Sequence, residues 1–175
     1  MAPPVPVELK PHDRLWANAV AAEAERLAAT LGEELLAVHH VGSTAIPGIV
    51  AKPTLDIVPV VRSLDALDAM RPEVEALGYR WWGEYGLVGR RFCTLDDPET
   101  GKRRVHLHCY QLGAAAIGRH LAFRDYLVAH PELAAQYEAV KRRCFEQHHK
   151  SSHDYSSCKG DWIQRIEAEA LAALG

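Results

Sequence analysis

Apolar and polar positions change their period several times along the chain, and each change marks an element. From Pro11 onward, Leu15, Trp16, Ala19, Val20, Leu27 and Leu31 recur one to four residues apart with charges between them. That spacing predicts an amphipathic helix, which Gly32 closes. LLAVHHV (35–41) and Thr54–Val61 are short apolar runs of strand length, and Ser63 caps a helix through SLDALDAMRPEVEALG that Gly78 ends. Pro72 kinks or splits that helix, because it lacks an N–H and crowds the preceding turn. Three β-like runs follow, YRWWGEY, LVGRRFCTL and RRVHLHCY, with the turn-rich connector DDPETGK between the last two. From about Ala115 the pattern is helical to the end. Pro131 starts the second of two helices in FRDYLVAHPELAAQYEAVKRRCFEQHH, and YSSCKGDWIQRIEAEALAAL forms a last one. A helix, then strands, then helices reads as α+β, a small mixed sheet of about five strands flanked by helices.

Composition narrows the class. A chain of 175 residues with 48% hydrophobic content buries one good core, so residues 1–175 are read as one soluble domain with an extended, proline-rich arm over 1–10. No run of about 18 uninterrupted apolar residues exists to span a membrane. MAPPVPVELKPHDR lacks the basic and apolar regions of a signal peptide. Cys93, Cys109, Cys144 and Cys158 show no CxxC spacing and are expected as reduced thiols in a cytoplasmic protein. A formal charge of −3, from 20 basic and 23 acidic residues, argues against a dedicated nucleic-acid module but not against small anionic ligands.

Candidate chemistry centres on Asp56, a lone acid in a β-branched run. In a strand, Thr54, Asp56, Val58 and Val60 share one face, and in RRVHLHCY, His106, His108 and Tyr110 share one face. Histidines two apart on a strand point the same way, about 7 Å apart at the Cβ atoms. If the strands are neighbours, Asp56 faces His106 or His108. A carboxylate with one or two imidazoles holds a divalent metal or forms an acid–base pair. The competing reading is two polar residues on a half-solvated sheet face.

Gly42-Ser43-Thr44 follows a strand directly, and its backbone N–H groups and hydroxyls suit a phosphate, or simply a helix cap. Lys52 is the nearest cation. Tyr137/Lys141 and Tyr155/Lys159 are i, i+4 pairs, and with Arg124 they could converge on a polyphosphate or remain solvated. His148, His149 and His153 resemble a metal tract by composition but lie in a polar inter-helix segment with no cysteine at ligand spacing.

VGSTAIPGIVAKPTLDIVPVV (41–61), RRVHLHCYQ (103–111), HLAFRDYLVAHPELAAQYEAVKRR (120–143) and YSSCKGDWI (155–163) together resemble the GrpB-like family over roughly residues 7 to 165. Members are often described as dephospho-CoA kinase or protein-folding accessory domains. The resemblance implies the nucleotidyltransferase-superfamily fold, whose enzymes use a Gly-Ser turn, a D-x-[DE] pair and a third acid around two Mg²⁺ ions. This chain keeps Gly42-Ser43 and Asp56, but Val58 stands at the second acid, and His106 and His108 appear where the third is expected. One carboxylate and two imidazoles make a poor two-Mg²⁺ site, since Mg²⁺ prefers hard oxygen ligands. One divalent metal (Mn²⁺, Zn²⁺ or Mg²⁺) or a metal-free Asp–His site fits better.

The expected function is a transferase binding a nucleotide or another phosphorylated or activated small molecule in a cleft around Asp56 and the Gly42-Ser43 turn. The catalytic and metal candidates are Asp56, His106 and His108. The phosphate candidates are Gly42, Ser43, Thr44, Lys52, Arg124, Tyr137, Lys141, Tyr155 and Lys159. The alternative is a non-catalytic ligand-binding or accessory domain linked to CoA metabolism or protein folding. No membrane or nucleic-acid partner is expected, and the sequence names no protein partner.

Overall fold

Parity explains the sheet. The structure, a computed structural model, describes residues 3–174, so residues 1 and 2 of the expected arm lie outside the described residues. Strands β1 (Leu35–Val41), β2 (Leu55–Val61), β3 (Arg80–Trp81), β4 (Arg90–Asp96) and β5 (Arg103–Gln111) form one sheet in the order β1-β2-β5-β4-β3. Among the described residues only the β2–β5 pair is parallel; β1–β2, β4–β5 and β3–β4 are antiparallel. With seven α-helices among the described residues the architecture is α+β, as the pattern predicts.

The chain divides into two compact units. The first, residues 14–41 and 54–117, holds the sheet. Leu55, Ile57, Cys93, Leu95, Val105, Leu107 and Cys109 project from one sheet face into a core. Helices α1 (Leu15–Leu31), α2 (Leu64–Ala69) and α3 (Arg71–Ala76) cover it with Val20, Leu27, Leu31, Leu67 and Val74. The buried Glu23 of α1 is satisfied there by the Tyr79 hydroxyl (2.7 Å) and the Arg26 guanidinium. Ser63 does cap α2, accepting from the Ala66 N–H at 3.2 Å, and the helix splits at Met70, two residues before Pro72.

The second unit takes residues up to 13, 42–53 and 118 onward. Helix α4 (Ala115–Ala129) runs into it, followed by α5 (Pro131–His148), α6 (Ser152–Cys158) and α7 (Gly160–Ala173). Ile46, Ile49, Phe123, Leu127, Ala134, Tyr137 and Ile166 form one cluster. Val7, Val140, Cys144 and Tyr155 form another.

Four sequence expectations change. Helix α1 starts at Leu15 rather than Pro11, because Lys10 is held extended by paired hydrogen bonds of 2.9 Å with Ala51. The YRWWGEY run supplies only a two-residue strand, since Gly83, Tyr85 and Gly86 all have positive φ (64°, 47° and 80°) and turn the chain. The last helix breaks at Lys159, ahead of the poor helix former Gly160. The reduced state expected for all four cysteines is overturned for two: Cys144 and Cys158 form a disulfide. The chain turns back between α5 and α6, placing their Cα atoms 5.8 Å apart, within bonding range. Cys93 and Cys109 are free and buried.

Candidate functional site

Strand register builds the site. Asp56 in β2 lies directly beside His106 in the parallel neighbour β5, and His108 follows two residues on, on the same face. The Asp56 Oδ1 atom lies 3.1 Å from His106 Nδ1 and 3.2 Å from His108 Nε2. Both contacts use one carboxylate oxygen; Oδ2 takes part in neither. The Asp56 side chain is 32% exposed, so ligand access and protein contacts coexist. Burial acts to raise the carboxyl, but hydrogen bonds from His106 and His108 outweigh it and hold Asp56 well below the usual carboxylate range.

Two arginines that sequence reasoning missed stand behind the imidazoles. Arg103 Nη1 lies 3.3 Å from His106 Nε2, and Arg90 Nη1 lies 3.5 Å from His108 Nδ1. Simple alternation puts Arg103 on the opposite face from His106. The ladder, however, pairs Leu95 with Val105 and Asp96 with Arg103, so β5 carries one extra residue there. That bulge returns Arg103 to the face of His106. Arg90 is 7% exposed and donates to the Tyr85 and Glu84 carbonyl oxygens. Its guanidinium carbon also lies 4.8 Å from the centre of the Phe92 ring. Phe92 packs 5.4 and 5.2 Å from the rings of His106 and His108, closing the group against the sheet.

Could these residues hold a metal? Asp56, His106 and His108 each offer one ligand atom, all within 4.8 Å of one another, a spacing one ion could bridge after slight contraction. The groups behind them do not fit. An imidazole that ligates a cation gives its other nitrogen an N–H, which needs an acceptor such as a carboxylate or carbonyl. Here the partners are arginines, which only donate.

The second unit places the phosphate candidates. Gly42, at φ 71°, opens a single 3₁₀ turn over Ser43–Ala45, directly after β1. Ser43 Oγ donates to the Tyr137 hydroxyl at 3.2 Å, and Thr44 is buried. Lys141 is buried, donates from Nζ to the Val50 carbonyl, and sits 4.7 Å from the Tyr137 ring centre. Burial, helped by the Lys159 charge, lowers Lys141 to about 7. Lys159 lies 4.2 Å over the Tyr155 ring, so the pair persists across the helix break. The buried Tyr155 hydroxyl has no hydrogen-bond partner among the described residues. Lys52 is half-buried in the connector that follows β1 in sequence, and Arg124 pairs with its neighbour Asp125 at 2.7 Å. His148 ends α5, His149 follows it and His153 lies in α6; among the described residues they form no metal-ligand cluster.

The model of the GrpB protein family matches residues 6–169. The chain belongs to the GrpB family. It is 40% identical over 164 residues to UPF0157 protein YqkA of Bacillus subtilis, covering 94% of this chain but 47% of that protein. The chain thus spans about half the length of that relative. It is also 30% identical to the dephospho-CoA kinase of Mycolicibacterium paratuberculosis, over 91% of this chain and 44% of the kinase. Among solved structures, the GrpB protein from Enterococcus faecalis superposes with a TM-score of 0.89 at 36% identity, covering 95% of this chain and 99% of that one. Cid1 in complex with its short product ApU superposes at 0.54 with 14% identity, over 80% of this chain and 43% of Cid1. That second likeness shows a nucleotidyltransferase-like fold and nothing finer.

Proposed function

We propose that this GrpB-family chain is a transferase that binds a nucleotide or another phosphorylated or activated small molecule, with Asp56 orienting the acceptor. The observation that carries the reading is the carboxylate itself: ionised, one-third exposed, and fixed by two imidazoles on a single oxygen. A carboxyl held this far down is a weak base, so its value lies in placing an acceptor hydroxyl rather than in storing its proton. In the step, the acceptor oxygen bonds to phosphorus, the phosphorus–leaving-group bond breaks with its electron pair, and the hydroxyl proton leaves to water. Taken by itself, the second unit offers Ser43, Lys159 and the Tyr155 hydroxyl, which has no hydrogen-bond partner among the described residues, as groups suited to a phosphate beside Lys141.

A second reading, a non-catalytic ligand-binding or accessory domain, is favoured by one observation: the dephospho-CoA kinase relative carries a matching segment over 44% of its length. Thermal melts with ATP, GTP, CTP and CoA, with and without Mg²⁺, Mn²⁺ or Zn²⁺, test both. A ligand at 100 times its Kd adds about 2.7 kcal/mol of stability, an upward shift easily read. At least one of these compounds is expected to raise the melting point; no shift with any of them would contradict both readings. A shift without turnover favours the accessory domain.

A further inference from the structure

We propose that Arg103 and Arg90 are positioning residues that lock His106 and His108 as neutral imidazoles donating to Asp56, which makes the cluster a metal-free site. Arg103 Nη1 at 3.3 Å from His106 Nε2 can only donate, so that nitrogen carries a lone pair and Nδ1 carries the hydrogen that reaches Asp56. The same logic inverts the ring at His108: Arg90 faces Nδ1 at 3.5 Å, so Nε2 carries the hydrogen. The two histidines therefore hold opposite tautomers and aim both N–H groups at one carboxylate oxygen. A cation between the three residues requires both lone pairs to turn inward. Each ring's other N–H would then point at a guanidinium N–H, a mismatch at two places.

Both arginines are anchored independently of the histidines, so neither turns away readily. Arg103 ion-pairs with Asp96, and Arg90 donates to two backbone carbonyls while lying over Phe92. The inference concerns the cluster of the proposed transferase but does not rest on that activity.

The test is residue-resolved ¹⁵N NMR of the imidazoles in the full chain at about pH 8, where unperturbed histidine is neutral. His106 is expected with Nδ1 protonated and Nε2 bare, and His108 with Nε2 protonated and Nδ1 bare. Equimolar Zn²⁺ should leave both rings unmoved, whatever it does at the chain's other histidines. Arg103→Met should shift the His106 Nε2 resonance, because its lone pair loses the donor, and Arg103→Lys, which keeps a donor, should restore the wild-type position. A reversed tautomer at either ring, Zn²⁺-shifted nitrogens at His106 and His108, or an Arg103→Met spectrum identical to wild type would overturn the proposal. A failure to find any transferred group leaves these readouts intact, so the two readings fail separately.

Discussion

At the scale of single residues, the acid–imidazole group was legible because strand parity is rigid: once 54–61 and 103–110 are strands, Asp56, His106 and His108 have assigned faces. The arginines were not, since Arg103 reaches its face only through a bulge that no alternation rule announces. The buried lysine was likewise invisible, because an i, i+4 pairing with Tyr137 does not reveal that Lys141 is 1% exposed. Its burial has a measurable consequence. With a folded pKa of about 7 against an ordinary 10.5, Lys141 is protonated in both states at low pH and burdens folding there. Between those values the unfolded chain binds more protons, so stability from this group rises with pH. Lys141→Met removes that dependence. Urea denaturation at about pH 6 and about pH 9.5 should show the wild type gaining on the variant as pH rises. A difference that does not move with pH would contradict the burial of an ammonium at this position.

At the scale of elements, the helix start at Pro131 and the cap at Ser63 were read correctly, because those signals are local. What the sequence hid depends on long-range partners. The arm is pinned as an extended segment by Ala51 and by His149, whose carbonyl accepts from the Val7 N–H at 2.7 Å. Cysteine spacing likewise carries no information about which helices meet. The Cys144–Cys158 bond ties α5 to α6 across a separation of 14 residues. A cross-link closing a loop of about 15 residues is worth about 3 kcal/mol through the unfolded state. Cys144→Ser, which leaves one thiol, should lower the guanidinium unfolding free energy by about that amount, and reductant should do the same to the wild type. Equal stability in oxidised and reduced wild type would contradict a bond closed in the folded chain.

At the scale of the whole molecule, the GrpB pattern was readable because its motifs are spread along nearly the whole chain, and the family match over residues 6–169 agrees with that extent. The α+β class followed from the order of periods alone. Among the described residues no helix is long and apolar enough to cross a membrane. The substrate was not legible at any scale, because fold likeness to Cid1 at 14% identity carries no ligand chemistry. Whether Asp56 organises a transfer step can be read by ³¹P NMR of ATP, GTP, CTP and UTP incubated with the full chain and an acceptor mixture of sugars, nucleosides and amino alcohols. The wild type should give a new phosphorus resonance, formed about 100-fold or more slowly by Asp56→Asn with an unchanged fold by circular dichroism, since a misplaced acceptor costs on that order. Product formed equally fast by Asp56→Asn, or no phosphorus chemistry from the wild type with any nucleotide, would contradict that role.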